Sequence, residues 1–358
     1  MTAATVAPAR DDRADVLVGL LVCVAVASVA RLAGSVLQLG LETALALVLG
    51  LAVGAIVVLR PRFVPGATLA SRYALRIGIT LLGARLTLDQ LFATGAGSII
   101  GIAVVVTAAL ALGMFLARRL DLVPPLSALI TVGMAICGNS AILALSPIIG
   151  AKHRDTAYAV STITIFGLIG VLLLPVVGRL LHLSDPIFGT WAGLAVNDTA
   201  QVVATGYAFS PAAGDVATVV KLTRNLAILP VLLGATWLVA RSGGSTETGT
   251  SATKPSRLAL LSRAVPWFVV GFVVVAGLRS AGLLDVPLPS GGTLADLCST
   301  LAALLILVAL AGVGMATDVR SLTAAGGRPF LLAAAMWVAI GLLGLLVATS
   351  VGGAPSLA

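Results

Sequence analysis

Two stretches of the chain, ICGNSAILALSP at Ile136–Pro147 and LAVNDTAQVVA at Leu194–Ala204, place polar side chains inside apolar runs long enough to cross a bilayer. On that reading Asn139, Ser140, Asn197, Asp198 and Gln201 all sit at membrane depth. Polar and ionisable groups there are costly and usually functional. In the first stretch, Gly138 allows a helix to unwind, and Asn139 and Ser140 can cap the half-helix that restarts. Its exposed N–H groups and positive dipole end then face an anion. Pro147 disturbs the helix further along. The competing reading is a kink packed against a neighbour, with Asn139 bonding across helices.

In the second stretch, Asn197 and Gln201 are i,i+4 and Asp198 and Gln201 are i,i+3, so the three share much of one helical face. Asp198 is the one acid placed deep within a span. Desolvation and a nearby cation act on its protonation in opposite senses, which is the competition a proton- or cation-coupling carboxylate needs. The plain alternative is a structural ion pair that never changes state. A third group, Thr218, Lys221, Arg224 and Asn225, lies along one side of a later span. Two cations one turn apart in an apolar helix need anions. Asp198 can neutralise one, and a bound oxyanion can satisfy the other through the arginine fork. Snorkelling to the interface is the alternative. Arg85 and Asp89 (i,i+4) read as an interfacial pair, as do Asp318 and Arg320.

These residues require a membrane scaffold. Of 358 residues, 59% are hydrophobic and 10% are charged, and mean hydropathy is +1.12. A soluble domain carries roughly 25% charged residues. The composition predicts an all-α polytopic membrane protein whose partner is the lipid bilayer, since spans without water must satisfy their own backbone as helices. The net charge of +8 and pI near 10.2 reflect basic loops that set orientation, with no compact basic domain to bind nucleic acid. Cys23, Cys137 and Cys298 lie in apolar surroundings without metal spacing, and His153 and His182 fall in loops. The sequence therefore predicts no metal site, no cofactor and no catalytic triad.

Hydrophobic periodicity predicts eleven spans, at about 16–33, 40–59, 73–90, 96–117, 125–150, 157–178, 186–209, 216–240, 264–283, 292–316 and 329–351. The first reads as a retained span rather than a signal peptide. Residues 1–15 form a disordered tail, 16–240 a block of eight spans, 241–263 a flexible cytoplasmic linker, and 264–352 a block of three. Within the linker, Ser242–Lys254 is rich in Gly, Ser and Thr. Basic residues after spans two, four, six, eight and ten fall on one side if the N-terminus is cytoplasmic. The Lys152–Asp155 loop is the exception. Two internal echoes favour a repeat architecture: Gly83, Leu91 and Gly95 recur in spacing as Gly314, Leu322 and Gly326, and both polar interruptions precede a Ser-Pro. The Gly50/Gly54, Gly97/Gly101 and Gly189/Gly193 pairs read as close helix packing.

The blocks ITLLGARLTLDQL (Ile79–Leu91), AICGNSAILALSPIIGAK (Ala135–Lys152), AVSTITIFG (Ala159–Gly167), GTWAGLAVNDTAQVVATG (Gly189–Gly206), ATVVKLTRNLAILP (Ala217–Pro230) and GVGMATDVRSL (Gly312–Leu322) resemble, in order, the YeiH-like sulfate exporter family of bacterial inner-membrane proteins. The resemblance implies a multi-span secondary carrier, distantly akin to bile-acid-symporter-like and sodium/proton-antiporter-like folds; the two polar interruptions predict two broken helices near the midplane. The family typically has a His-Glu pair where this chain has Asn197-Asp198, so a proton relay through that histidine does not carry over. The expectation is a secondary active transporter in the cytoplasmic membrane that moves a small sulfate- or sulfonate-like anion. Gly138, Asn139, Ser140, Asn197, Gln201, Lys221 and Arg224 would bind it, and Asp198 would couple a proton or cation. A homodimer is left open. The alternatives are a non-transporting sensor or assembly subunit, an intramembrane enzyme, which lacks a nucleophile–base pair at depth, and a channel.

Overall fold

A computed structural model describes residues 12–37, 42–57, 63–241, 267–289, 291–317 and 327–351. The linker beyond Arg241, residues 1–11, and Asp318, Arg320, Leu322 and Gly326 lie outside the described residues. The first described helix begins at Asp12. Among the described residues all regular elements are helical, apart from one isolated bridge between Pro287 and Thr293.

The helices are α1 (Asp12–Leu37), α2 (Glu42–Val57), α3 (Val64–Leu69), α4 (Leu75–Leu82), α5 (Leu88–Arg119), α6 (Pro124–Ala135), α7 (Asn139–Leu145), α8 (His153–Leu180), α9 (Asp185–Ala195), α10 (Thr199–Phe209), α11 (Pro211–Asn225), α12 (Ile228–Arg241), α13 (Trp267–Ser280), α14 (Leu294–Ala316) and α15 (Arg328–Val351). A π-turn at Ala70–Ala74 joins α3 to α4, and a 3₁₀ turn at Gly83–Arg85 ends α4. Among the described residues, six helical stretches are long and apolar enough to cross a membrane: Ala14–Gly34, Leu88–Arg119, His153–Leu180, Pro211–Val239, Leu294–Ala316 and Arg328–Ser350. Shorter or interrupted helices occupy the other expected windows.

Local chemistry explains where the boundaries moved. The third expected span, 73–90, is displaced to 64–85 because Thr87 and Gln90 form a capping box that starts α5 at Leu88. Leu86 is extended there, so Arg85 and Asp89 are not on one helix and the expected i,i+4 pair does not exist. A second capping box, Thr293 with Asp296, starts α14.

Close approaches of small residues hold the bundle. A Cβ on Gly50 or Gly54 would lie 2.3 or 2.7 Å from the carbonyls of Ala311 and Met315, so α2 meets α14 backbone to backbone. Gly189 and Gly193 admit α11 to α9 in the same way. One apolar core joins α5, α6, α8 and α15 around Ile130, Met134, Ile163 and Met336. Another joins α2, α4, α10 and α14 around Leu47, Ile79, Val203 and Leu310. Outward-facing Leu21, Ile100, Leu172 and Leu346 are exposed, as expected for a surface solvated by lipid.

Candidate functional site at two crossed helix breaks

Both polar interruptions are helix breaks, and they touch. The first lies between α6 and α7. Gly138 takes φ 62°, ψ −123°, a conformation that residues bearing a Cβ rarely adopt. A Cβ at Gly138 would also lie 3.5 Å from the carbonyl carbon of Asn197, so the first break packs on the second. The second break, between α9 and α10, is extended at Val196 and Asp198. The Asp198 carboxylate caps α10 by accepting from the Ala200 N–H at 2.9 Å.

Each break leaves the C-terminal carbonyls of its first half-helix without intrahelical donors. Lys221 and Arg224 on α11 supply those donors. Lys221 Nζ donates to Ile136 at 2.9 Å and Val196 at 3.1 Å. Arg224 Nη1 donates to Leu194 at 2.6 Å, and Nη2 donates to Ala135 at 2.9 Å and Met134 at 3.0 Å. Both side chains are 0% exposed. Their charge also opposes the negative dipole ends of α6 and α9. This corrects the expectation that Lys221 and Arg224 face an anion: they are struts of the crossing, and neither forms an ion pair with Asp198. Carbonyl oxygens, which sequence composition does not display, take the place of the expected counter-ion.

The other side of the crossing opens on a polar cavity of about 610 Å³. Asn139, Ser140, Asp198 and Gln201 line it, with Arg72 and Arg76 from the π-turn and α4. Gln201 Nε2 donates to the Thr164 carbonyl at 3.0 Å, fixing its orientation. The Oδ1 of Asn139 and the Oε1 of Gln201 are buried and lack a protein partner. Asn197 does not reach the cavity. It is fully buried, with Nδ2 on the Met134 sulfur at 3.1 Å. Gly138 contributes only the turn. Of the expected binding residues, the fold therefore assembles Asn139, Ser140 and Gln201 beside Asp198, and leaves Gly138, Asn197, Lys221 and Arg224 behind them. With seven residues, α7 has too short a dipole to act as an anion site on its own. Cationic charge comes instead from Arg72 and Arg76, neither of which is among the expected binding residues. Their i,i+4 spacing at the entry to an apolar run was the available signal. Arg76 is steadied over the Phe268 ring, 6.0 Å from its centroid.

A second cavity, of about 370 Å³, lies at the opposite ends of α4, α10 and α14, which also border the first, and is lined by Leu82, Tyr207, Phe209 and Ile306 together with Glu42 and Arg85. Here Arg85 Nη1 approaches Asp215 Oδ1 at 3.5 Å and the Tyr207 hydroxyl at 3.4 Å. The Tyr207 hydroxyl also donates to Asp215. Asp215 on α11, rather than Asp89, is thus the partner of Arg85.

A helical bundle with outward apolar faces, two broken helices crossing in its interior and a polar cavity at the crossing defines a polytopic membrane protein. The chain belongs to the family described as conserved hypothetical protein 698, the YeiH-like UPF0324 membrane proteins, whose model matches residues 18–333. It is 35% identical over 268 residues to a UPF0324 membrane protein of Clostridium tetani, covering 74% of this chain and 76% of the relative. It is 34% identical over 343 residues to one of Agrobacterium fabrum, covering 93% of each. With one of Streptococcus pyogenes serotype M6 it shares 36% identity over 347 residues, covering 94% and 97%. No solved structure matches.

Proposed function

We propose that the protein is a secondary carrier, not an enzyme, that moves a small sulfate- or sulfonate-like oxyanion across the cytoplasmic membrane. The observation that carries this reading is the polar cavity at the crossed breaks, where Arg72, Arg76, Asn139, Ser140 and Gln201 converge. Arginine matches an oxyanion with a planar fork of donors, and the Asn and Ser side chains add neutral ones. The two cavities lie on α4, α10 and α14, and along α10 they are separated by the rise from Gln201 to Tyr207, about 9 Å at 1.5 Å per residue. That arrangement suits a path opened alternately from either end around a midplane site.

Asp198 gives coupling a physical basis. Its carboxylate lines the same cavity as the arginines and opposes an arriving anion. A proton or cation that neutralises it removes the opposition, so each ligand favours the other by linkage. Eleven crossings, with the N-terminus on the cytoplasmic side, complete the reading. Arg328 at the start of α15 donates to Leu120 at the end of α5, so these basic ends share a side, as the positive-inside rule asks.

The test is counterflow of labelled sulfate and a small sulfonate in proteoliposomes. Wild-type protein exchanges at least one of them. Asn139→Leu, which blocks the cavity, abolishes exchange while its gel-filtration profile is unchanged. Exchange undiminished in that variant sinks the site assignment. Binding without exchange in the wild type points to a sensor or assembly subunit.

A further inference from the structure

A third cavity lies apart from those two. About 700 Å³ in volume, it lies between α5, α6, the end of α7 and α12, with Leu110, Met114, Val132, Leu145, Val231 and Ala235 in its wall. Protein interiors are close-packed, and a gap of this size within a membrane-spanning bundle is a place for an apolar guest. Ser127, one of the few hydroxyls in the wall, returns its hydrogen bond to the carbonyls of Val123 and Pro124 on its own helix. The wall therefore offers a polar solute little. On α12, a Cβ added at Gly234 would meet no heavy atom within 4 Å.

The rim is different. Arg118 and Asp121 both line the cavity mouth. Arg119 lies beside them over the Phe115 ring, and Arg328 is brought in by its bond to the Leu120 carbonyl. None of these arginines has a carboxylate within ion-pair distance among the described residues, and all are exposed. An apolar slot that ends in an excess of unpaired guanidinium groups matches one chemistry: an acyl chain ending in a negatively charged headgroup. Basic pockets between membrane helices bind anionic lipid headgroups on this principle.

We propose that this cavity is a specific site for an anionic phospholipid, with one acyl chain in the slot and the phosphate on Arg118. The chain would lie against Val132 on α6 and Leu145 on α7, the two half-helices of the first break. A bound lipid would thereby buttress the crossing from outside. A second copy of the chain, with no cationic contribution required, is the competing occupant.

The experiment uses the full chain, delipidated in a neutral detergent. It is titrated with phosphatidylglycerol, phosphatidylcholine and glycerol phosphate, and read by native mass spectrometry and thermal shift. The expected result is one retained phosphatidylglycerol per chain, preferred over phosphatidylcholine by roughly tenfold or more from the net cationic charge at the rim, with no retention of glycerol phosphate. Gly234→Leu places a side chain in the slot, where its Cβ meets no heavy atom within 4 Å, and removes the retained lipid while the protein stays monodisperse. Arg118→Gln, which leaves the packing alone, lowers the preference over phosphatidylcholine several-fold. Equal retention of both lipids by the wild type overturns the proposal. So does full retention by Gly234→Leu, or tight binding of glycerol phosphate alone. Conversion of a dimer to a monomer by Gly234→Leu, with no change in lipid, assigns the slot to a second copy and overturns it as well.

Discussion

Arg224 distinguishes a strut from a ligand, and its removal gives the sharpest prediction. In Arg224→Met the carbonyls of Leu194, Ala135 and Met134 lose donors now at 2.6, 2.9 and 3.0 Å. Each buried polar group left unpaired costs about 1–3 kcal/mol. The sum overstates the loss, because Lys221 remains at Ile136 and Val196 and the breaks can relax. Hydrogen bonds to a charged group are worth about 1.5–3 kcal/mol each, so a net loss of about 3–5 kcal/mol is expected here once relaxation is allowed for. It is a large share of a net stability of roughly 5–15 kcal/mol. For a chain of 358 residues the unfolding entropy corresponds to about 1–2 °C per kcal/mol, so the apparent melting temperature in detergent should fall by about 5 °C. Arg224→Lys keeps the charge but loses the fork, and should recover only part of the loss. The assay is thermal unfolding of the purified variants, followed by anion titration of the protein that survives. If Arg224→Met melts like the wild type and has lost only anion binding, Arg224 is a ligand and the strut assignment is wrong.

The remaining variants probe the cavity and the turns. Arg76→Gln should leave the melting temperature within a degree or two and weaken oxyanion binding by about tenfold or more, the share of one charged hydrogen bond at about 1.5–3 kcal/mol; unchanged affinity by calorimetry removes Arg76 from the site. Asp198→Asn keeps an N-cap of equal rank and should fold normally, retain sulfate counterflow and lose acceleration by an imposed proton or sodium gradient. Asp198→Ala should in addition lose about 1 kcal/mol of stability with the cap; a gradient response surviving in Asp198→Asn excludes that residue as the coupling group. Gly138→Ala should cost about 1–3 kcal/mol of stability from backbone strain, visible as a lowered melting temperature, and an unchanged one would show that the break tolerates a Cβ.

Much of the scaffold and half of the site were legible in the chain. Gly138 and the Asn-Asp pair at 197 and 198 mark both breaks, because an unwound helix needs conformational freedom and capping side chains. The Thr87-to-Gln90 capping box is equally visible as a spacing, and it separates Arg85 from Asp89 in spite of their helical periodicity. Two unpaired half-helix C-termini were implied by the breaks themselves, so a demand for buried donors could have been anticipated. What supplied them could not. Lys221 and Arg224 lie on a helix whose own sequence says nothing about which carbonyls it meets.

The amino-acid sequence alone determined a helical membrane protein whose apolar runs are interrupted by polar residues. Hydrophobic run length and the cost of an unsatisfied backbone in lipid leave no other solution. Only the tertiary structure decided which charges are available to a guest. Residues 72 and 76 are brought to Asn139 and Gln201 by the crossing of distant helices. Lys221 and Arg224, closer in sequence to the second break, are consumed by its backbone. Charge type is written in the side chain, but whether that charge is satisfied depends on carbonyls that become neighbours only when the chain folds.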